Sequence, residues 1–279
     1  MEDPLTANVW KDQLGAFVSS GRLKYFNRAI VLDRCGSTQD EALARCAGRE
    51  GLVLTTIAQE SGRGRLGRSW HHNPAMGLAI TFVLGEVRPD AEVSLAAGLA
   101  AAEVCDTPES GMIRGPEVVG VKWPNDIVRR ERVGSHWPKI AGVLIERRAG
   151  LLLVGIGVNV NHTESDWPPE LAGRAMSLRQ LWGASGLIDR VGFAQRLIAS
   201  FDAILAEPDT MLARRWADRD VLIGTVQEFD HNNTRHRGVV ERIDPTAEIV
   251  LRTANGFEHL PALTTSLVTD QPVPAGVET

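Results

Sequence analysis

The sequence predicts an α+β protein, with a mixed α/β body followed by a small, barrel-like β domain. Three observations predict it. Apolar β-branched runs alternate with alanine-rich helical patterns through most of the chain. After Asp218 the pattern changes to short alternating segments separated by turn residues. The length of 279 residues, 43% hydrophobic and 23% charged, suits one large or two ordinary globular domains rather than a fibre or a disordered tail. The change of pattern divides the chain into a body of 1–217 and a β domain of 218–279.

The elements follow in order. Val9, Trp10, Leu14 and Phe17 give residues 8–17 a loose amphipathic pattern and predict a short helix. Residues 25–33 read as a strand. Ser37-Thr38 ahead of acidic residues and alanines marks a helix start. GLVLTTIAQE (51–60) and MGLAITFVLG (76–85) read as buried strands, and the alanine-rich run at 94–106 as a helix lying on a sheet. GVKWPNDIVRR, KIAGVLIERR and LLLVGIGVNVN each read as one strand. Phe193, Leu197, Phe201, Ile204 and Leu205 share a helical face. In the β domain, VLIGTVQEF, HRGVVERI and AEIVLRT lead to Asn255-Gly256, a hairpin signal. The last ten residues, DQPVPAGVET, are expected to fray.

Composition excludes several functions. A net charge of −5 argues against general nucleic-acid affinity. Cys35, Cys46 and Cys105 are odd in number and too far apart for a disulfide framework or a zinc knuckle. The acidic, polar N-terminus is no signal peptide, and no apolar run approaches the ~18 residues of a membrane span. A cytoplasmic protein is expected, with no membrane partner. Of 30 basic residues only Lys11, Lys24, Lys122 and Lys139 are lysine. Lysine and arginine are not interchangeable where geometry matters, so the places that keep lysine draw notice.

Two of those lysines open motif-like segments. Residues 122–126 read KWPND, where proline fixes a turn and Asn-Asp can cap it. Lys139 precedes Ala141-Gly142, and Gly142 lets a ligand approach the backbone. Upstream lies SGRGRLGRSW (61–70), in which Arg63, Arg65 and Arg68 alternate with glycines. Guanidinium forks on a flexible loop suit phosphate and carboxylate oxygens. A phosphate-binding P-loop needs a lysine there, and bulky cations spoil a dinucleotide fingerprint. On residues alone the loop also fits a solvated arginine turn or an RNA-binding segment, and KWPND also fits an ordinary β-turn.

Taken in order, QESGRGRLGRSW, KWPND, KIAGVLIE and GIGVNVN resemble the catalytic domain of biotin protein ligases, that is, biotin–[acetyl-CoA-carboxylase] ligases. GSTQDEA (36–42), where the family usually reads S-T-N, and WPPELAGRAMSL (167–178) are similar too, so the resemblance spans about 30–270. It implies a mixed sheet flanked by helices, like class II aminoacyl-tRNA synthetases, and a C-terminal SH3-like barrel. It also implies an enzyme that joins biotin and MgATP into biotinyl-5′-AMP, then passes biotin to one lysine of a biotin carboxyl carrier protein.

The site residues come with the resemblance. Ser37, Thr38, Gln39 and Gln59 match the biotin pocket, with the role of Gln39 set apart by the departure from S-T-N. Gly62, Arg63, Gly64, Arg65 and Arg68 match the loop that closes over biotin and the adenylate phosphate. Lys139 matches the lysine at the biotin carboxylate and the α-phosphate, and Gly142 a biotin-binding position. Trp70, Lys122, Asn125, Asp126 and Asn159 match the nucleotide side, and Asp126 also matches a residue that orients the incoming lysine. Mg²⁺ is implied with ATP, without a named ligand. The 12 residues between Asp126 and Lys139 exceed the usual short turn. Repressor-type members carry a helix-turn-helix module ahead of the S-T segment. The 36 residues before Ser37 are too few for it, so no DNA binding is expected, and a homodimer is allowed. A lipoate or octanoate ligase and an arginine-loop nucleic-acid binder are the competing readings.

Overall fold

The structure, a computed structural model, describes residues 7–67, 69–70, 73–74, 76–108 and 117–268; the segment expected to fray, 270–279, lies outside them. In α1 (Ala7–Val18), Trp10, Leu14 and Val18 stand at i, i+4 and i+8 and are all buried. The strand expected at 25 starts later, as β1 (Arg28–Cys35). The amides of Lys24 and Tyr25 instead donate to the Asp202 carboxylate at 2.9 and 2.8 Å. Then come α2 (Thr38–Arg45), β2 (Leu52–Gln59) and β3 (Gly77–Leu84). The alanine run extends one turn forward into α3 (Asp90–Asp106), where Asp90 and Glu92 favour the N-terminal dipole.

The KWPND region differs most from expectation. It is two strands, β4 (Val119–Lys122) and β5 (Asp126–Arg129), paired as a hairpin with Lys122 opposite Asp126. Proline cannot donate into a ladder, so Trp-Pro-Asn turns the chain instead of continuing it. The next hairpin is β6 (Lys139–Arg148) and β7 (Leu151–Asn159). Beyond it lies α4 (Leu178–Trp182), bounded by a Ser177–Gln180 capping box and a left-handed Gly183. The expected helix is α5 (Arg190–Ile204), and α6 (Asp209–Arg219) follows. The sequence did not announce α6, because only Leu212 and Trp216 form its buried apolar face.

Strands β1 to β7 form one sheet in the order β1-β2-β3-β7-β6-β5-β4. The β1–β2 pair is parallel and the rest are antiparallel. Side chains alternate across a strand, and β7 shows what each face does. Leu152, Val154, Ile156 and Val158 face the main core, which they share with residues of α1, α3 and α5. Leu151 and Leu153 belong to a second core with Ala42 and Cys46, at and just after α2. Gly155 and Gly157 continue that second face without side chains. In the main core Phe82 lies 5.0 Å from both Phe26 and Phe201, ring centre to ring centre. Glycine is required in α3 at Gly98, where a methyl group would stand 2.7 Å from the Trp216 ring.

The β domain holds β8 (Val226–His231), β9 (Thr234–Ile243), β10 (Glu248–Thr253), β11 (Gly256–Pro261) and β12 (Thr265–Leu267). Their order is β11-β10-β9-β8-β12. This is an open antiparallel sheet: among the described residues no β11–β12 pairing closes it into the expected barrel. Its core is not its own. Leu222, Phe229, Val240, Ile249 and Leu251 pack with Trp123, Val128 and Trp137 of the preceding body.

Asp220 sits at this junction, 8% exposed. Its Oδ1 accepts from the Leu222 amide at 2.7 Å, and Oδ2 has no partner among the described residues. Burial pushes its carboxyl up to about 6, against the pull of the Leu222 and Ile223 amides. Because the folded-state value is raised, folding favours the protonated acid. The stabilisation is complete below the ordinary carboxylate range and is lost as pH rises through about 6. Asp220→Asn is therefore expected to match the parent near pH 4 and to exceed its unfolding free energy by about 2–3 kcal/mol at pH 7.5. Urea melts at both pH values check this; an equal difference at the two contradicts it.

Candidate active site

The two glycines of β7 open a cleft on the α2 face of the sheet. Gly155 lies under Gln39, where a methyl group would stand 2.6 Å from Nε2. Gly157 lies under Trp70, where it would stand 2.5 Å from the indole. Gly142 of β6 underlies both Lys139 and Trp70. A period-two glycine pattern thus lays a flat floor on which three functional side chains rest.

One end of the cleft is uncharged and polar. Thr38 donates to Gln59 Oε1 from its amide at 2.9 Å and from its hydroxyl at 3.1 Å, and Thr81 donates to Thr38 Oγ1 at 2.9 Å. Ser37 holds the N-cap position of α2 but makes no capping bond with its side chain. Gln39 donates to the Leu144 carbonyl at 2.8 Å. Its Oε1 is buried with no partner among the described residues. A buried acceptor in that state is costly unless a ligand donor meets it.

The other end is cationic. Among the described residues five charged side chains line the cleft, and Arg63, Arg65, Lys122 and Lys139 outnumber the single carboxylate, Asp126. Lys139 Nζ lies 2.5 Å from Asp126 Oδ1 and 5.4 Å from the Trp70 ring centre. Its backbone is held on both sides: the amide donates to Arg174 O at 2.7 Å, and the carbonyl accepts from Met176 N at 2.9 Å. The segment WPPELAGRAMSL is therefore the cradle of Lys139. Asn125 donates to Val143 O at 2.7 Å, fixing the hairpin turn on β6. Lys122 Nζ stands 5.3 Å from the Trp137 ring centre, and Arg132 Cζ 3.7 Å from it. The extra residues before Lys139 thus supply a buried tryptophan that orients Lys122.

In the Arg/Gly loop, Gly62 and Trp70 are bonded (Trp70 N to Gly62 O, 2.8 Å) and Arg63 bridges Ser69. A short 3-10 turn covers Arg65–Gly67. Arg65 is exposed as a residue, yet burial pushes its guanidinium below the ordinary arginine value, with the charge of Asp126 acting the other way. Arginine stays protonated regardless, so this is a charge that an anionic ligand would relieve. Arg63 is already paired with Asp40 at 2.6 Å and Glu146 at 3.4 Å. The Arg63 guanidinium, helped by Arg148, holds the Asp40 carboxyl at about 2.

Ser37, Thr38, Gln39, Gln59, Arg63, Gly64, Arg65, Trp70, Lys122, Asn125, Asp126, Lys139 and Gly142, all expected in one site, line this one cleft. Arg68 lies outside the described residues. Gly62 and Asn159 are not on the wall. A methyl group at Gly62 would meet Gln59 Nε2 and Trp70 O at 2.7 and 2.8 Å. Asn159, expected beside the adenine, instead donates to the Lys139 carbonyl at 3.1 Å. Sequence reasoning missed Ser266 and Leu267, which reach the cleft from β12, and no local signal marks them. It also missed Gly155 and Gly157 as floor residues, although their alternate spacing in an apolar strand is a readable signal.

Among the described residues no three of His, Cys, Asp and Glu cluster to hold a metal ion, and Asp126 is engaged with Lys139.

The biotin/lipoate A/B protein ligase family model matches residues 38–162. The chain is 31% identical over 235 residues to the biotin–[acetyl-CoA-carboxylase] ligase of Mycobacterium tuberculosis, covering 81% of each. It is 30% identical over 246 residues to the bifunctional ligase/repressor BirA of Bacillus subtilis, covering 83% of this chain and 71% of that one. Among solved structures it resembles the biotin protein ligase from Aquifex aeolicus in complex with biotin and ATP. That likeness has 25% identity and a TM-score of 0.73, over 87% of this chain and 99% of that one.

Proposed function

The chain belongs to the biotin protein ligases, and from that membership we infer that it activates biotin with ATP to biotinyl-5′-AMP and transfers it to a lysine of a biotin carboxyl carrier protein. The observation that carries the reading is the pairing, in one cleft, of a polar uncharged end with a cationic end. Biotin has the same division, a ureido head and a carboxylate tail.

The polar end supports biotin over lipoate, whose head offers no N–H donors. The unpartnered Gln39 Oε1 suits a ureido N–H, beside Ser37, Thr38 and Gln59. At the cationic end the biotin carboxylate attacks the α-phosphorus, a new C–O–P bond forms, and pyrophosphate leaves. Both reactants are anions, so Arg65, Lys122 and Lys139 offset their repulsion and stabilise charge growing on the phosphate. Arg68 belongs with them by its place in the motif. Magnesium accompanies the phosphates of ATP, as such ions often do; no step here is routed through it. Trp70 and Asn125 frame the nucleotide side, with Ser266 and Leu267 opposite. In the second step the carrier amine attacks the acyl carbon, a C–N bond forms, and AMP leaves. When the anionic intermediate engages Lys139, Asp126 loses its partner and can receive the proton of the amine.

The reading treats 1–217 as the catalytic unit and 218–279 as an SH3-like unit with an open sheet. It includes no DNA partner, which the net charge of −5 supports, and allows a homodimer, which sedimentation tests. It places the reaction in the cytoplasm. Three free cysteines suit a reducing compartment, and no described helix is long and apolar enough to cross a membrane.

Incubation with ATP, biotin and a carrier domain is expected to give avidin-detectable label and biotin-dependent pyrophosphate, neither of them with lipoate in place of biotin. Turnover with lipoate alone would favour the related acyl ligase, and turnover with neither removes both readings.

A further inference from the structure

The Arg/Gly loop has to cover a labile mixed anhydride and then reopen, yet its glycines leave its backbone free to move. Arg63 ties it down. Its Nη1 and Nη2 donate to the two oxygens of Asp40 at 2.6 and 3.0 Å, and Nη2 reaches Glu146 at 3.4 Å. Arg148 closes the ring, 2.6 Å from Asp40 and 3.6 Å from Glu146. Two arginines and two carboxylates thus join three elements: the loop, α2 and β6. Asp40 directly follows Ser37, Thr38 and Gln39, which line the cleft, and Arg63 is followed by Gly64 and Arg65, which line it too. Holding Arg63 to Asp40 therefore fixes the loop against the wall it must close upon.

We propose that Asp40 is a positioning residue that latches the Arg/Gly loop through Arg63 and sets how slowly the enzyme-bound adenylate escapes. The proposal rests on the ligase reading above. Asp40 touches no reacting atom; it acts on the loop. The network is half-exposed, with Asp40 49% and Arg63 38% accessible. Exposed ion pairs are individually weak, which suits a latch that opens once per turnover.

The test uses the full-length enzyme loaded with biotin and ATP labelled at the α-phosphate. Release of labelled biotinyl-5′-AMP is followed after dilution into unlabelled ligand. Asp40→Asn is expected to release adenylate about three- to tenfold faster, the size expected for two lost exposed ion pairs. Its rate of adenylate formation and its melting temperature should stay near those of the parent. Asp40→Glu, which keeps the charge, is expected to restore slow release. High salt should speed release from the parent by a larger factor than from Asp40→Asn. Unchanged release from Asp40→Asn overturns the latch, as does adenylate formation slowed by the same factor, which would mean general damage. A parent enzyme that forms no adenylate refutes the ligase reading instead, so the two failures are distinguishable.

Discussion

Lys139→Ala is expected to lower single-turnover, biotin-dependent pyrophosphate release by about 10²–10³-fold, the size expected when a preorganised charge at a developing anion is removed. The ammonium lies in the cleft beside Asp126 and Trp70. Its backbone is pinned by Arg174, Met176 and the Asn159 amide. These bonds fix the backbone from which the ammonium projects. Lys139→Arg is expected to fail nearly as badly, because the ammonium is packed on Gly142 beside Trp70 and a larger planar guanidinium does not place its charge at the same point. Removing the lysine also strands Asp126, so the double variant Lys139→Ala/Asp126→Asn separates the two causes. If it adenylates no better than the single variant, the loss belongs to the missing cation. A single variant within tenfold of the parent rate contradicts the assignment.

Trp123→Ala is expected to lower the unfolding free energy by about 3–5 kcal/mol, the usual range for truncating a buried tryptophan. Trp123 lies in the KWPND turn and is 3% exposed. Its ring packs 5.9 Å from that of Phe229, in the core shared with Trp137, Leu222 and Leu251. The cavity opens between the catalytic body and the C-terminal sheet. Activity should therefore fall before global unfolding, as Ser266 and Leu267 withdraw from the cleft. Urea melts followed in parallel with adenylation measure both. A stability change below about 1 kcal/mol, the scale of a surface substitution, contradicts the shared core.

Much of this was legible in the chain itself. Apolar period-two runs marked the strands, and the motif segments named residues that the fold brings to one cleft. The scarcity of lysine sets Lys122 and Lys139 apart in the sequence. Three features were not legible. GVKWPNDIVRR reads as one strand candidate with a turn signal at KWPND, and only the pairing of Lys122 with Asp126 shows the two strands of a hairpin. Arg63 looks like its loop neighbours but belongs to Asp40 and Glu146. Ser266 and Leu267 carry no motif at all.

The sequence by itself determined which residues could do chemistry and which local conformations they favour, because strand period, turn residues and helix starts depend on near neighbours along the chain. The tertiary structure decided which charges meet and which stay available to a ligand. Lys139 meets Asp126, and Arg63 meets Asp40, because the order β1-β2-β3-β7-β6-β5-β4 lays distant segments side by side. Electrostatic and hydrogen-bond partners are set by distances of a few ångströms across that sheet, and no local pattern along the chain encodes them.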